Sequence, residues 1–441
     1  MRQNWPIIKS GYHDPRRGQL IQAFYCRRIG TQEQPLEQTM SPPVDRKQDR
    51  GFILASLSFG HGISHLYDQG IPVFMPAIAS AMGLSNLQVA SLLAIRQAGF
   101  GVVNLGVGVF VDMLKNQWGL ILTACMFWAA IAYLAVGAAP SFPLLVVTIA
   151  VVSIPGALWH LPATAALSRR FPDRRGFAVS IHGFGSNIGN VLGPLLAGAM
   201  LTVLFYRNVL FIYAAPAAVT GFFVWWSLRE LGKDEEQGEP RTLRGQFLAT
   251  KEVLKNPAIM ALVLSAALRG VGLNALFHWT PFYLEEELGK GHFSTGAYFA
   301  LLTGMGIISA PFLGQLSDRF GRKQVIIPGL AAATILSMLV VSVSDTFWLA
   351  IVFSGLGLFS FSLQQIILAA VLDIAGRGTE AATTGFIFGL NGIIGGASPF
   401  VTTLIISHLG GFGSVYYYAG ILTGLSGLIV LAVPMAKPNR E

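Results

Sequence analysis

Three residues of one apolar stretch, His61, His65 and Asp68, stand at i, i+4 and i+7, a spacing that stacks them on one face of a helix. A carboxylate beside two imidazoles can take up, share and pass on a proton. Two arginines, Arg96 and Arg269, sit near the centres of other apolar stretches, and a guanidinium keeps its charge at any working pH. Each must find a carboxylate, a carbonyl, water or an anion brought in from outside. Ionisable groups at bilayer depth cost at least ~2.5–3.5 kcal/mol each, which makes them candidates for function. With Asp68 the one acid clearly at that depth, two fixed cations face one anion, and the imbalance favours an anionic ligand. A competing arrangement ties Arg96 to Asp68 as a fixed bridge and leaves Arg269 alone for the ligand. In a second, the His and Asp groups only hydrogen-bond neighbouring helices.

Further polar residues extend the set. Trp159-His160 and Gln364-Gln365 lie on two other apolar stretches, Asn187 and Asn391 on two more, and Asn274, His278 and Trp279 follow Arg269. Amide, indole and imidazole groups of this kind orient small ligands in cavities. Singly, each reads as a helix-to-helix hydrogen bond; together they form a plausible cavity wall. His61 and His65 have the spacing of two zinc ligands, but no Glu stands between them and no third ligand is evident, so neither a metal nor a cofactor is expected. No P-loop, paired catalytic carboxylates or nucleophile with its base appears, so an enzyme is not expected. Gly183-Phe-Gly185-Ser-Asn187-Ile lacks the strand that must precede a dinucleotide fingerprint.

The elements that position these residues follow from composition. Of 441 residues, 53% are apolar and only 12% charged, and the mean hydropathy is +0.58. Soluble domains carry about 25% charged residues, so this chain is built for lipid. Cys26 and Cys125 are too few for a disulfide framework or a four-thiolate zinc site. A spanning helix needs roughly 20 apolar residues. Twelve such stretches run over 52–79, 86–110, 118–139, 144–167, 176–204, 209–228, 257–283, 294–316, 324–344, 347–371, 380–407 and 414–435.

If the N-terminus is cytoplasmic, the Lys and Arg outside these stretches fall on the cytoplasmic side, except Arg207 and Lys290. The positive-inside rule then places both termini in the cytoplasm, and the net charge of +8 reflects topology, with no need of nucleic acid. Residues 1–50 are predicted to be a disordered cytoplasmic tail without a signal-peptide core, and Met40 is a candidate start. Six-helix halves at 51–228 and 257–436 flank a linker, 229–256, and residues 437–441 form a cytoplasmic tail. In the linker, Leu243, Phe247, Leu248 and Leu254 share a helical face, with Arg244, Lys251 and Lys255 beside it, which predicts an interfacial helix.

The halves repeat at an offset of about 205. Pro76 answers Pro281, Pro194 answers Pro399, Trp159-His160 answers Gln364-Gln365, and Gly108-Val-Phe-Val-Asp112 answers Gly314-Gln-Leu-Ser-Asp318. Repeated halves around a cytoplasmic linker are a transporter architecture with its site near the bilayer midplane. Glycines at 183, 185, 189 and 193, and at 385, 389, 392, 395 and 396, suit helices whose backbones touch and rock.

The run Gly314-Gln-Leu-Ser-Asp318-Arg319-Phe-Gly321-Arg322-Lys323 resembles the cytoplasmic signature of the major facilitator superfamily, and the resemblance covers the chain from residue 51. It implies an all-α polytopic fold of twelve transmembrane helices in two pseudo-symmetric halves, with the motif latching the halves in one state. Gly314 would allow close helix approach, Asp318 would pair with Arg, and the trailing cations would meet lipid headgroups. The first-half copy lacks the Arg and Gly after Asp112, so switching falls mainly to Asp318, Arg319 and Arg322. A purely topogenic basic loop is the alternative. A narrower resemblance, carried by Gly60-His61, Tyr67, Trp159-His160-Leu-Pro162, Arg174-Arg175-Gly176 and Gly183-Phe-Gly185-Ser-Asn187-Ile-Gly189-Asn-Val-Leu192-Gly193-Pro194, is to the fosmidomycin-resistance-type efflux branch. His65 stands where that branch places an acid. Cavity arginines are implied by likeness to superfamily carriers of organophosphates and carboxylates.

The expectation is a monomeric multi-pass carrier of a bacterial inner membrane that moves a small organic anion by alternating access. Protons drive it through Asp68, with His61 and His65. Alternatives are an efflux carrier of neutral or cationic drugs, and a transporter-like sensor or scaffold without flux.

Overall fold

The computed structural model describes residues 49–233, 255–360, 362–375 and 380–435, with Gly245, Leu248 and Lys251. Side chains at 105–110, 112, 113, 115, 380–382 and 385 lie outside the description, as do the tails and nearly all of the predicted interfacial helix. The described fold belongs to one unit, Arg46–Glu441.

Its elements are α1 (Arg50–Met82), α2 (Asn86–Met113), α3 (Trp118–Ala138), α4 (Phe142–Arg170, broken at Ser153), α5 (Arg175–Leu201) and α6 (Tyr206–Leu228). The second half has α7 (Pro257–Phe282, continued by a π turn, Tyr283–Glu287), α8 (His292–Phe320, broken at Met305), α9 (Arg322–Val340), α10 (Thr346–Ala375), α11 (Glu380–Leu409) and α12 (Ser414–Ala432). Each predicted stretch is one of these helices. The first helix of each half starts in the same way: the Asp49 side chain accepts from Gly51 N at 2.7 Å, and Asn256 accepts from Ala258 N at 2.9 Å. Repeat-related prolines lie inside equivalent helices, Pro76 and Pro281 in α1 and α7, Pro194 and Pro399 in α5 and α11.

Among the described residues, nine helices are long and apolar enough to cross a membrane. The other three, α1, α2 and α5, have the length but carry His61, His65, Asp68, Arg96, His182 and Asn190. Apolar side chains such as Ile131, Val219, Phe222, Ile335 and Leu428 face outward, the surface lipid requires. The chain is a multi-pass membrane protein.

The buried apolar residues form three clusters. One lies wholly in the first half, around Leu57, Trp118, Trp159 and Leu228, and another wholly in the second, around Leu262, Ile326, Leu363 and Val430. Both are at the end that carries the Arg174 and Arg322 turns, called here the basic end. The third runs across both halves, from Phe74 and Tyr213 to Trp279, Phe353 and Ile406, toward the far end.

Glycines set the crossings between halves. A Cβ on Gly392 of α11 would lie 2.3 Å from Gly101 Cα of α2, and one on Gly296 of α8 would lie 2.3 Å from the Pro194 carbonyl of α5. Within the first half, Gly185, Gly189 and Gly193 put α5 directly against the backbone of α1, where their Cβ atoms would meet the carbonyls of Ser58, Gly62 and Leu66 at 2.1, 2.1 and 2.4 Å. The expected backbone contact is therefore real, but the Gly185–Gly193 stripe serves packing within a half, and among the described residues a Cβ on Gly183 would meet nothing within 4 Å.

Candidate functional site

The two membrane-embedded arginines have different surroundings. In the first half, Arg96 Nη2 donates to the Asp68 carboxylate and, at 3.2 Å, to the Asp68 carbonyl. The Arg96 side chain is 6% exposed and that of Asp68 32%, so water reaches the acid and not the base. Tyr67, Tyr133 and Ser64 complete a small cavity of about 20 Å³ around the pair, room for one water. Arg96 and Asp68 are thus paired with each other in this state. Tyr133 went unnoticed in the sequence, and Tyr67 entered only through a family resemblance; the Tyr133 hydroxyl donates to the Tyr67 carbonyl, and Tyr67 to that of Tyr213.

In the second half, Arg269 is buried, and its Nη groups donate to the Ser360 carbonyl and to Gln364 Oε1. Among the described residues, no carboxylate pairs with it, and its Nε has no partner. A cavity of about 10 Å³ adjoins it, lined by Ser337, Ser360 and Thr423 among apolar residues. Asn391 packs on Gly270, the next residue, and Asn274 Nδ2 lies with Gln97 Nε2 over Gly395, where α2, α7 and α11 meet. Gln97 joins the set; its place beside Arg96 in the sequence was the available signal.

Some predicted wall residues do other work. Trp159 is fully buried with its ring against Gly60, where a Cβ would lie 2.3 Å from Cη2, so it spaces α1 from α4. Trp279 Nε1 donates to Thr402 Oγ1 at 2.7 Å. Gln365 is exposed, and Gln364 alone meets Arg269. His278 is buried with neither ring nitrogen partnered, edge-on to Phe277. Asn187 is half-buried, and the amide that reaches His65 is Asn190, one turn later, with Oδ1 2.8 Å from His65 Nδ1.

The largest departure concerns the histidines. His61 and His65 do not stand alone: α4 brings His160 edge-on to both, with ring centroids 4.8 and 5.4 Å away, and α5 stacks His182 on His61 at 4.0 Å. The third imidazole that spacing along one helix does not reveal comes from across the bundle.

At the basic end, Gly321 turns α8 into α9 at φ 106°, a backbone that disfavours a Cβ. Arg322 donates to Asp318, to Ser317 Oγ at 2.7 Å and to Asp373 Oδ2 at 3.0 Å. Arg319 lies over the Phe320 ring. Two expectations are corrected. Lys323 gives its ammonium to the carbonyls of Leu431 and Val433, at 2.6 and 3.0 Å, where it caps the end of α12 and does not reach out to headgroups. Among the described residues nothing lies within 4 Å of where a Gly314 Cβ would stand, so the expected close approach is not made there. These described contacts stay within the second half. The first-half counterpart, Asp112, has its side chain outside the described residues; nearby, Arg50 and Arg174 bind Asp173 at 3.2 and 3.3 Å. A bond to its own backbone N–H, then Arg174, holds the Asp173 carboxyl below its usual range.

A family model described as Major Facilitator Superfamily matches residues 57–399 and, again, 307–441. The chain belongs to the major facilitator superfamily. It is 24% identical over 416 residues to the fosmidomycin resistance protein of Escherichia coli strain K12, covering 92% of this chain and 98% of that one. A Thermus thermophilus relative named "Probable nitrate/nitrite antiporter" is 26% identical over 260 residues, 56% of this chain and 57% of its own length. The crystal structure of a bacterial homolog of the human lysosomal transporter Spinster, inward-facing and unoccupied, has the same fold, with a TM-score of 0.68 at 18% identity over 87% of this chain and 95% of that one. Membrane transport is the activity that superfamily membership assigns to the chain.

Proposed function

We propose that the chain is a secondary carrier that moves a small organic anion by alternating access and draws on a proton gradient. The observation that carries this reading is Arg269, a buried permanent cation held only by neutral acceptors among the described residues. Arg96 has its counter-charge in Asp68, and Arg269 lacks one, so an anion entering between the halves neutralises the second half. Gln364, Asn391, Asn274 and His278 orient it; His65, His160, Asn187, Trp159 and Gln365 belong to the same or adjoining walls. Proton coupling falls to Asp68, which water reaches, with His61 and His65 next to it on α1. Protonating Asp68 frees Arg96 to attract the anion.

The basic end is cytoplasmic in this reading, with both termini there and the protein a monomer in a bacterial inner membrane. The fused core at the far end and the separate cores at the basic end then describe a cytoplasm-open state. The Asp318–Lys323 turn, with Asp112 as its weaker counterpart, switches between states. A second reading, drug efflux, draws on the name of the Escherichia coli relative.

The test is transport current in proteoliposomes for phosphonates, sugar phosphates, carboxylates and cationic drugs, in wild type and Arg269→Gln. Anion currents lost in the folded variant are expected. Currents for cationic or neutral drugs that persist in the variant would replace the anion reading with efflux.

A further inference from the structure

We propose that His61, His65 and His160 form a binding site for a borderline transition-metal dication such as Zn²⁺, with a fourth position open to water or an anion. One nitrogen from each ring lies within 4.8 Å of the others, and the three rings meet edge-on at centroid distances of 4.7, 4.8 and 5.4 Å.

The protonation pattern matches that of ligands. His61 Nδ1 is 2.9 Å from the His182 carbonyl oxygen, which only accepts, so the proton of the neutral ring is on Nδ1 and Nε2 carries a lone pair. That Nε2 is buried and has no hydrogen-bond partner. His65 repeats the arrangement, with Nδ1 donating to Asn190 Oδ1 at 2.8 Å and Nε2 left as the base. Metal-binding histidines give their other N–H to a carbonyl or carboxylate, which fixes tautomer and ring orientation. Here α5 supplies both outer partners, the His182 carbonyl and the Asn190 amide.

Imidazole nitrogen selects zinc, copper or nickel over magnesium and calcium, which want oxygen. Zinc binds nitrogen at about 2.0–2.1 Å, which sets tetrahedral ligand atoms about 3.3–3.4 Å apart, so the most widely separated pair must draw together by up to about 1.5 Å. His65 and His160 are half-buried on separate helices, so closure onto an ion takes side-chain rotation of these two rings. The backbone carbonyl of Asn190 also accepts from Thr303 Oγ1 of α8 at 3.0 Å, so an ion that fixes His65 and Asn190 acts at a crossing between the halves. The site does not use Arg269, but it shares His61, His65 and His160 with the proton-coupling group and cavity wall proposed above, so metal binding is read separately from transport current and either reading can fail alone.

The experiment uses the full chain in detergent, with the affinity tag removed and metal stripped by chelator. Zn²⁺ is titrated calorimetrically, and Co²⁺ serves as the coordination probe through its visible absorption. One ion per chain is expected, with tetrahedral Co²⁺ bands and a Zn²⁺-dependent rise in melting temperature. His65→Gln and His160→Gln should lose the bands and the rise, while Asn190→Ala should weaken binding by about 10–100-fold as a positioning residue. His13→Ala and His408→Ala should bind as wild type. No binding by wild type, or unchanged binding in both Gln variants, overturns the site.

Discussion

Asp68→Asn leaves the buried Arg96 guanidinium without its counter-charge. Losing one partner of a buried ion pair costs about 3–5 kcal/mol, whereas replacing both is far cheaper. The single variant should therefore melt well below wild type, and Asp68→Asn with Arg96→Gln should recover most of the loss, in thermal unfolding of the detergent-solubilised protein. Failure of the double variant to recover would mean that Asp68 is held by something other than Arg96. Transport by the single variant, where it folds, should lose its dependence on the proton gradient. Much at this scale was readable in advance: polar groups within apolar runs are conspicuous, and the Arg96–Asp68 pair was one of two arrangements that charge alone allowed. His160 and His182 were not readable as neighbours of His61, because contacts across a bundle depend on how helices rotate against one another. Asn190 was passed over for Asn187 for the same reason: one helical turn separates an amide that meets His65 from one that does not.

The helices themselves were legible because roughly 20 apolar residues in a row have few other uses. Which glycine meets which backbone was not, since small residues mark a close contact without naming the partner. The two glycine sets now predict different failures. Gly189→Val places side-chain atoms against the Gly62 carbonyl inside one half, where a Cβ would already lie 2.1 Å away, and neither backbone can yield. Overpacking of this kind costs about 1–3 kcal/mol or more, read as a lower melting temperature. Gly392→Val disturbs the crossing with Gly101 between halves, so the fold should survive while the far end opens. Cysteine labelling at Thr403, which meets Asn86 across that crossing, should become faster, and unchanged labelling would show that the crossing tolerates the added bulk. Gly321→Ala strains the α8–α9 turn by about 1–3 kcal/mol. It should slow transport more than it lowers binding, because the turn holds Arg322 against Asp318 and Asp373.

At the scale of the molecule, the three apolar clusters describe unequal ends. One core is shared between the halves and two are private, so changing state means splitting the shared core and joining the private ones. A ligand shifts that balance only by its difference in affinity between states, and moving a population from 1:99 to 99:1 takes about 5.5 kcal/mol. Salt-resistant, apolar contact at the far end and charged contact at the basic end also give the two steps different sensitivities to ionic strength. The ion pairs around Arg50, Asp173 and Arg322 each lie within one half, so closing the basic end brings two charged surfaces together; that step should respond to salt more than the far-end step. Single-molecule distance measurements across each end, at low and high salt, check this.

The separation of the two basic-end cores has a pharmacological side. A wedge-shaped apolar compound seated between them would block closure of that end and hold the far end shut, without touching either arginine. Such an inhibitor would need no likeness to the transported solute, and resistance to it would arise at Ile181, Phe184, Ile308 or Phe312, exposed residues on the basic-end halves of α5 and α8, while transport itself stayed intact.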